Sequence, residues 1–391
     1  MRISIYCQPC GASLGGAEYS AAVLAEGLCR EHEVTLYHSA RGLTVGSFES
    51  FAQVALSNVK LRVPLVQGNC TGCTANPLTR LHQSREINKE LSLNYDAFIT
   101  FTHAAPPYCY APKGILIVLF PGNDRRELWP WSAGRNEKPS LRRWLRGLLA
   151  EWNWWQRLSG YTHKTSISEF TREWTKRWWG VNTTVLYPPV FTDFQIREKR
   201  NIILSVGRFI ADERPKNQKE MMQAFSEMRP ARDAGWRYLS VGGLGENSTD
   251  LQYFNRVTEL GQTIKGETRA NVPRSELIGH FEEARIYWHA GGLGVDETSQ
   301  PLTSEHFGIT PVEAMAAGCV PVVINRGGLK ETVVHGVSGF LWNTLDELKY
   351  YTLLLIQDEA LLLRMSMAAR ERSKLFSHAR FIESVKQLLR Q

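Results

Sequence analysis

Two carboxylates eight positions apart frame the stretch of sequence that best matches a chemical site. Between Glu305 and Glu313 the chain reads His306, Phe307, Gly308, Ile309, Thr310, Pro311 and Val312. This spacing predicts a capping box that opens a short helix, with Thr310 as the N-cap, Pro311 as the first helical residue and Glu313 as the third. The N–H groups of a helix start favour anions, and Gly308 allows a ligand close to the backbone. For an isolated pair of glutamates, capping would be the preferred explanation of Glu313.

Two further groups of residues suit a phosphate. Gly207 and Arg208 follow a predicted strand, and Lys216 comes eight residues after Arg208. Fixed cations in a dry cleft would stabilise a departing diphosphate. Taken alone they would be surface cations, and the nearby Arg214 and Lys219 leave the choice of lysine open.

A glycine turn comes early in the chain, at Gly15 and Gly16, with Glu18 at the start of a predicted helix. Such a turn brings helix N–H groups near an anion. The signal is weak by itself, and the turn lacks the spacing of a dinucleotide fingerprint or a P-loop.

The elements that must position these residues alternate between strand and helix. In the first half the predicted strands are Arg2–Cys7, Glu33–His38, Val59–Leu65, Asp96–Phe101, Ile115–Phe120, Thr162–Ser166 and Thr184–Tyr187. The predicted helices are Ala17–Arg30, Pro77–Leu91, Leu141–Leu158 and Glu169–Trp179. Pro188 and Pro189 predict a linker. Alternation of this kind predicts parallel sheets covered by helices, with ligands beyond the carboxyl ends of the strands.

A second unit of the same kind follows the linker. Its predicted strands are Asn201–Val206, Arg237–Val241, Ile286–His289 and Val320–Ile324. Its predicted helices are Lys219–Met228, Ser275–Ala284 with Ser275 as cap, the helix after Thr310, two between Leu345 and Phe376, and Ala379–Leu389. A polar stretch before residue 275 has no predicted element.

The run from Glu305 to Gly318 resembles the Glu-seven-residues-Glu motif of the retaining glycosyltransferases of family four, glycosyl transferases group 1. The resemblance implies an α/β protein of the GT-B fold, with two Rossmann-like domains facing a cleft. The implied N-terminal, acceptor-binding domain spans 1–187 and is joined by a C-terminal helix, 377–391, that crosses back to it. The implied nucleotide-sugar-binding domain spans 191–376.

The same resemblance implies roles for the candidate residues. Glu305 would contact the donor sugar and Glu313 the ribose, while the amides of His306, Phe307, Gly308, Ile309 and Thr310 would reach sugar and phosphates. Arg208 and Lys216 would clamp the diphosphate, which the turn of Gly15, Gly16 and Glu18 would face. Val272 would contact the base, unless its segment is a plain loop.

One departure from the family concerns a first-domain histidine that touches the donor sugar in many relatives. Leu119 stands where some members have it. His103, after the preceding strand, is the nearest substitute and the fourth candidate catalytic residue beside Glu305, Arg208 and Lys216. A lone histidine is more often structural.

The implied reaction moves a hexose from a nucleotide diphosphate sugar, UDP-glucose or another UDP-hexose or GDP-mannose, to a saccharide or lipid-linked saccharide. The chain contains no Asp-x-Asp, so we expect no metal and no cofactor, with Arg208, Lys216 and the helix ends in the metal's place. The alternatives are a non-catalytic nucleotide-sugar-binding protein, or an epimerase or phosphorylase of this fold. A glycosidase needs opposed carboxylates across a cleft, which Glu305 and Glu313 do not offer.

Most of the net charge of +7 lies in residues 124–180, which hold twelve Lys and Arg against six Asp and Glu, and nine of twelve tryptophans. Within this segment Leu141, Leu145, Leu148, Leu149, Trp152 and Trp155 recur at helical spacing. The stripe is either a core-packing face or an amphipathic surface for an anionic membrane. Because no signal peptide or spanning segment is evident, we expect a cytoplasmic protein. Its membrane contact would be peripheral, at the inner face of the membrane. We expect no nucleic-acid partner.

Seven cysteines include the pairs Cys7/Cys10 and Cys70/Cys73. Four thiolates suffice for a zinc ion. Free thiols are the default in a reducing compartment, and the family needs no such site.

Overall fold

The structure of the protein is a computed structural model that describes residues 1–7, 14–38, 42–64, 77–123, 141–211 and 215–391. For 77–84 and 141–146 it describes the backbone only. The chain divides into two compact units, one of residues 1–189 with 381–391 and the other of 190–380. The last helix begins at His378, so the division falls within its first turn.

The first unit contains a seven-stranded parallel sheet of order β3-β2-β1-β4-β5-β6-β7. Its strands are β1 Arg2–Cys7, β2 Glu33–His38, β3 Val59–Arg62, β4 Ala97–Thr102, β5 Lys113–Val118, β6 His163–Ser166 and β7 Thr184–Val185. Its helices are α1 Gly16–Cys29, α2 Val45–Ala52, α3 Pro77–Ser92, α4 Leu141–Ser159 and α5 Glu169–Trp174, which continues as a π-helix over Thr175–Trp179. The central strands are apolar and buried along their length, as a sheet covered on both faces requires.

The second unit contains a six-stranded parallel sheet of order β10-β9-β8-β11-β12-β13. Its strands are β8 Arg200–Val206, β9 Arg237–Gly242, β10 Gly266–Ala270, β11 Ala284–His289, β12 Val320–Ile324 and β13 Phe340–Trp342. Its helices are α6 Gln218–Glu227, α7 Arg229–Asp233, α8 Ser248–Gln262, α9 Arg274–Glu283, α10 Ile309–Ala316, α11 Leu329–Thr332, α12 Leu345–Gln357 and α13 Glu359–Ser373, before α14 His378–Arg390.

Both sheets confirm the predicted α/β class, and each has one point where the strand order reverses. In the first unit this point lies between β1 and β4, and in the second between β8 and β11. Residues that follow these strands at their carboxyl ends therefore lie where parallel sheets bind ligands. In the second unit those residues are Gly207 and Arg208 after β8, and Ala290 and Gly291 after β11.

Six of these helices and strands were absent from the sequence prediction. They are α2, α7, α8, α11, β10 and β13, of which α8 and β10 fill the polar stretch before residue 275. The predicted helix over Glu169–Trp179 is also irregular, since its second half is a π-helix. In the part of the chain that the structure describes, no helix is both long enough and apolar enough to span a membrane.

Candidate functional site

The turn after β8 presents Arg208 and receives support from the start of α6. The Gln218 side-chain amide donates to the carbonyls of Gly207 and Arg208 at 3.1 and 3.0 Å. The Asn217 amide donates to the carbonyl of Ala290 at 2.6 Å and so ties α6 to the end of β11. Arg208 itself is exposed at this edge of the sheet. Its guanidinium is thus available to an anion at the switch point.

Lys216 reaches the same edge because residue 207 is a glycine. A Cβ at Gly207 would lie 2.8 Å from Cγ of Lys216, closer than side chains tolerate. The Lys216 Nζ donates to Oε2 of Glu305 at 2.5 Å. The structure therefore brings together the lysine and the first glutamate, 89 residues apart in sequence. Arg214 and Lys219 were the alternatives to Lys216 in the sequence, and Arg214 lies outside the described residues.

Glu305 has a second partner in His289, the last residue of β11. The Nε2 atom of His289 lies 3.2 Å from the same Oε2 of Glu305. Burial alone would raise the pKa of Glu305. The Lys216 ammonium and the hydrogen bond from His289 outweigh it and hold that pKa well below its usual range. Glu305 is accordingly a carboxylate at neutral pH.

The loop that carries Glu305 rests on the turn at Gly327 and Gly328. The Gly328 N–H donates to the Glu305 carbonyl at 2.8 Å. A Cβ at Gly327 would lie 2.1 Å from the Glu305 carbonyl oxygen, and one at Gly328 would lie 2.3 Å from that of His306. Only glycines allow this approach, so the turn fixes the height of the loop above the sheet.

The predicted capping box at Thr310 is wrong. Helix α10 begins at Ile309, and its N-cap is Gly308 with φ +95°, which makes no side-chain cap. The Thr310 hydroxyl accepts from the Tyr287 hydroxyl at 2.8 Å and lies 3.4 Å from the Val206 carbonyl, so it binds the sheet instead. Ile309 and Thr310 supply the first N–H groups of α10, which need partners outside the helix; Pro311 supplies none. Among the other loop residues, Phe307 buries its ring against Phe376, so it would offer a ligand only its backbone.

Glu313 caps nothing and pairs instead with Arg274, the first residue of α9. Arg274 also lies over the ring of Phe191 at 5.7 Å. Burial raises the pKa of Glu313, and Arg274 only partly offsets that rise. The predicted Ser275 cap is likewise wrong, because α9 has Pro273 as its N-cap residue. Glu313 is thus a buried carboxylate. Its partner Arg274 belongs to the segment around Val272, where the base contact was predicted.

That segment, between β10 and α9, contains Val272. Asn271, at φ +53°, accepts from the Leu244 N–H at 2.8 Å and donates to the Leu244 carbonyl at 3.1 Å. Val272 is half-buried against the core of the second unit. The loop is therefore tied to the neighbouring one, and its backbone lies close in sequence to Arg274.

The first-unit candidates lie at the reversal of their own sheet. Gly15 and Gly16 are partly exposed, whereas the Glu18 carboxylate is buried and accepts from the Gly15 N–H at 2.9 Å. Glu18 therefore closes the turn and leaves ligand contact to backbone groups. The Nδ1 atom of His103 lies 3.3 Å from the Phe120 carbonyl, and Leu119 is buried. His103 has a structural partner, and its contact with a sugar stays a prediction.

Of the four cysteines considered as zinc ligands, Cys7 is buried, and Cys10, Cys70 and Cys73 lie outside the described residues. Within the described ranges, no three His, Cys, Asp or Glu side chains are grouped so that they could hold a metal ion.

Two residues of the site, His289 and Arg274, were not predicted. The sequence does show His289 at the end of a strand, but it reads there as a loop histidine beside a buried tryptophan. Arg274 precedes a helix, where a charged residue is ordinary. The only signal for them in the sequence was their position: His289 lies at the carboxyl end of β11, and Arg274 lies near Val272.

Comparisons with known proteins bear on the family and the fold of the chain. Residues 190–372 match the family model described as glycosyl transferases group 1. The chain is 26% identical over 241 residues to the GDP-Man:Man(3)GlcNAc(2)-PP-Dol alpha-1,2-mannosyltransferase of Dictyostelium discoideum, covering 56% of this chain and 45% of that protein. It is 29% identical over 164 residues to the alpha-1,3/1,6-mannosyltransferase ALG2 of Mus musculus, covering 39% and 36%. The chain thus spans less than half the length of these relatives.

Among solved structures, the chain resembles Anabaena Alr3699/HepE in complex with UDP-glucose. The TM-score is 0.66 at 17% identity, over 100% of this chain and 99% of that one. At this identity the likeness concerns the fold, and it agrees with two parallel-sheet, Rossmann-like units.

Proposed function

We propose that the chain is a retaining hexosyltransferase of the glycosyl transferases group 1 family, because residues 190–372 match that family's model and the two parallel-sheet units have the GT-B fold. It takes a hexose from a nucleotide diphosphate sugar and attaches it to a sugar hydroxyl. The observation that carries the proposal is the ion pair of Lys216 with Glu305 at the switch point of the second sheet, with Arg208 in the turn that follows β8.

Arg208 and Lys216 would bind the diphosphate. A nucleoside diphosphate gains negative charge as the bond to the sugar breaks, and cations fixed beforehand stabilise that charge without reorganising. The first N–H groups of α10 would add donors for the same phosphates. In this arrangement Lys216, which contacts Glu305 in the structure, would turn to the leaving group when the donor binds.

Glu305 would act on the sugar, and Glu313 on the ribose. Glu305 is ionised and partly exposed, so its negative charge can stabilise positive charge that develops on the sugar ring. Glu313 is buried on α10, where its carboxylate would accept hydrogen bonds from ribose hydroxyls. Val272 supplies backbone contacts to the base in this proposal.

For the donor, GDP-mannose ranks first, because the sequence relatives are named as mannosyltransferases, one of them with GDP-Man in its name. UDP-glucose is the second candidate, since a neighbour of similar fold holds it. The acceptor we propose is a saccharide or lipid-linked saccharide, in line with the dolichol-linked acceptor in the first relative's name.

Thermal-shift measurements with GDP, UDP, ADP and their sugars test this proposal. We expect a rise in melting temperature with one family of nucleotides, because a ligand that binds only the folded state stabilises it. No shift with any of them would count against a nucleotide-sugar site. Transfer assays with the best donor then separate a transferase from a binding protein, and product analysis separates it from an epimerase or phosphorylase.

We propose further that the reaction needs no divalent metal. The support is the lack of Asp-x-Asp in the sequence and the presence of two cations where a metal would neutralise the diphosphate. Transfer should therefore continue at an unchanged rate in EDTA. Chelation that abolishes transfer, with recovery on adding Mg²⁺ or Mn²⁺, would contradict the metal-free mechanism.

Peripheral membrane contact through 124–180 gains support from α4. Its stripe residues Leu148, Leu149, Trp152 and Trp155 are 46% to 63% exposed, so the core-packing interpretation of these four is wrong. The buried face of α4 is a different one, with Trp154 packed against Trp179 at 5.4 Å. Trp179 ends the helical segment that begins at Glu169, and this segment carries the exposed cations Arg172, Lys176 and Arg177. Residues 124–140 lie outside the described part of the chain.

We expect the protein to sediment with anionic vesicles at low salt and to be released as salt rises, since each cation near such a surface contributes about 1 kcal/mol. Replacing Trp152 and Trp155 by serine should weaken this binding. The matched control replaces Leu363 and Met367, exposed apolar residues on α13, and should leave it unchanged. Equal loss in both double variants, or no sedimentation of the wild type, would contradict membrane contact through α4.

A further inference from the structure

His289 is held between two hydrogen bonds at the carboxyl end of β11. Its Nδ1 atom accepts from the Gly291 N–H at 3.2 Å, and its Nε2 atom lies 3.2 Å from Oε2 of Glu305. An atom that accepts a backbone N–H carries no proton, so the neutral ring has its proton on Nε2 and donates it to Glu305. The two contacts together fix both the tautomer and the plane of the ring.

The surroundings of His289 leave the ring little freedom. The residue is buried, at 3% exposure. A Cβ at Gly291 would lie 2.8 Å from Cε1 of the imidazole, so the backbone passes directly over the ring edge. Such close confinement is what a side chain needs if it is to orient another group.

Two charged groups act on His289, the Glu305 carboxylate and the Lys216 ammonium. Burial lowers the pKa of His289, Glu305 raises it and Lys216 lowers it, with a net fall below the ordinary histidine value. His289 is thus a neutral donor at physiological pH. Among the described residues the cation paired with Glu305 is Lys216, and His289 contributes direction through a hydrogen bond.

We propose that His289 is a positioning residue, which keeps the Glu305 carboxylate aimed at the donor sugar while Lys216 serves the diphosphate. This inference rests on the proposed function. Lys216 has three donor protons and a partly exposed side chain, so a diphosphate can draw it from Glu305. Glu305 would then lose its contact with Lys216, and the rigid donor on β11 would hold it in place.

The test compares two substitutions that differ in whether they keep a donor. His289→Phe fills the space without a donor, whereas the amide of His289→Gln can reach the position of Nε2. We expect kcat to fall about 10- to 100-fold in His289→Phe, the range for one hydrogen bond to a charged group. The KM for the donor should change little, and His289→Gln should recover part of kcat.

The pH dependence supplies a readout that simple packing would not move. The low pKa of Glu305 places the acid limb of kcat at low pH. Loss of the His289 donor should raise that pKa and move the limb upward in His289→Phe. The matched control is His335→Gln, since His335 also accepts a backbone N–H through Nδ1, from Leu341 at 3.1 Å. It should leave both kcat and the limb unchanged. A folded His289→Phe with wild-type kcat and limb would overturn the proposal.

A nitrogen NMR spectrum of histidine-labelled wild-type protein separates this inference from the proposed function, because it needs no turnover. We expect His289, assigned by its loss in His289→Gln, to show the Nε2–H tautomer and to stay neutral through the ordinary histidine pKa near 6.5. Its signal should shift in Glu305→Gln. An Nδ1–H tautomer, or ordinary titration, would overturn the role of His289 even in an active transferase. If the spectrum is as expected but the protein shows no transfer activity, the hydrogen bond between His289 and Glu305 stands and the proposed function is rejected.

Discussion

Glu305→Gln is expected to lower the rate of sugar transfer about 100- to 1000-fold, the loss typical for one preorganised electrostatic contact to a transition state. The amide keeps the shape of the side chain and can still accept from Lys216 or His289. What it loses is the negative charge that Glu305 holds at neutral pH. Nucleotide affinity should therefore stay close to wild type, as calorimetric titration of the nucleoside diphosphate would show beside the transfer assay.

Glu313→Gln is the matched control for that experiment, because it changes a glutamate to an amide eight residues away in the same motif. It should weaken binding of the free nucleotide directly. If Glu305→Gln loses nucleotide affinity while Glu313→Gln keeps it, the two carboxylates do not have the roles proposed here.

Arg208→Ala should produce an effect of similar size, about 100- to 1000-fold on transfer, together with weaker binding of the diphosphate. The guanidinium is exposed at the switch point, so its loss removes charge from the leaving-group site without opening a cavity in the core. Titration of the nucleoside diphosphate and of the nucleoside alone locates the loss. Only the diphosphate should bind more weakly.

The control for Arg208 is Arg229→Ala. Arg229 lies at the start of α7 in the same unit and pairs with Asp233 on the surface. It removes the same charge from another place, so it should leave transfer and binding near wild type. Wild-type transfer by Arg208→Ala, or an equal loss in Arg229→Ala, would show that Arg208 has no specific role at the diphosphate.

Much of the fold could be predicted from the sequence because buried parallel strands are apolar runs with clear ends. The bounds of β1, β2 and β12 were predicted to the residue. Helix α8 and strand β10 were missed for the opposite reason. In α8 only Val257 and Gly261 are buried, and β10 is an edge strand whose burial alternates with exposure. Polar sequence of this kind carries little periodic signal, and tertiary contacts decide its structure.

The site was predictable where a motif marks it and unpredictable where distant residues meet. Lys216 and Glu305 were each predicted as site residues, and the structure places them in contact. The partners His289 and Arg274 come from other elements, and local spacing does not point to them. The capping prediction failed because Tyr287, on β11, takes the Thr310 hydroxyl that a cap would need. A local rule was overridden by a contact 23 residues away.

The central claim is that the second unit binds the nucleotide through Arg208, Lys216 and Glu313, with the sugar beside Glu305. A crystal structure with the nucleoside diphosphate that gives the largest thermal shift tests it most directly. The account predicts the diphosphate in contact with Arg208 and Lys216 at the ends of β8 and β11, and the ribose hydroxyls within hydrogen-bonding distance of Glu313. A nucleotide bound elsewhere, or one whose phosphates touch neither cation, would contradict it.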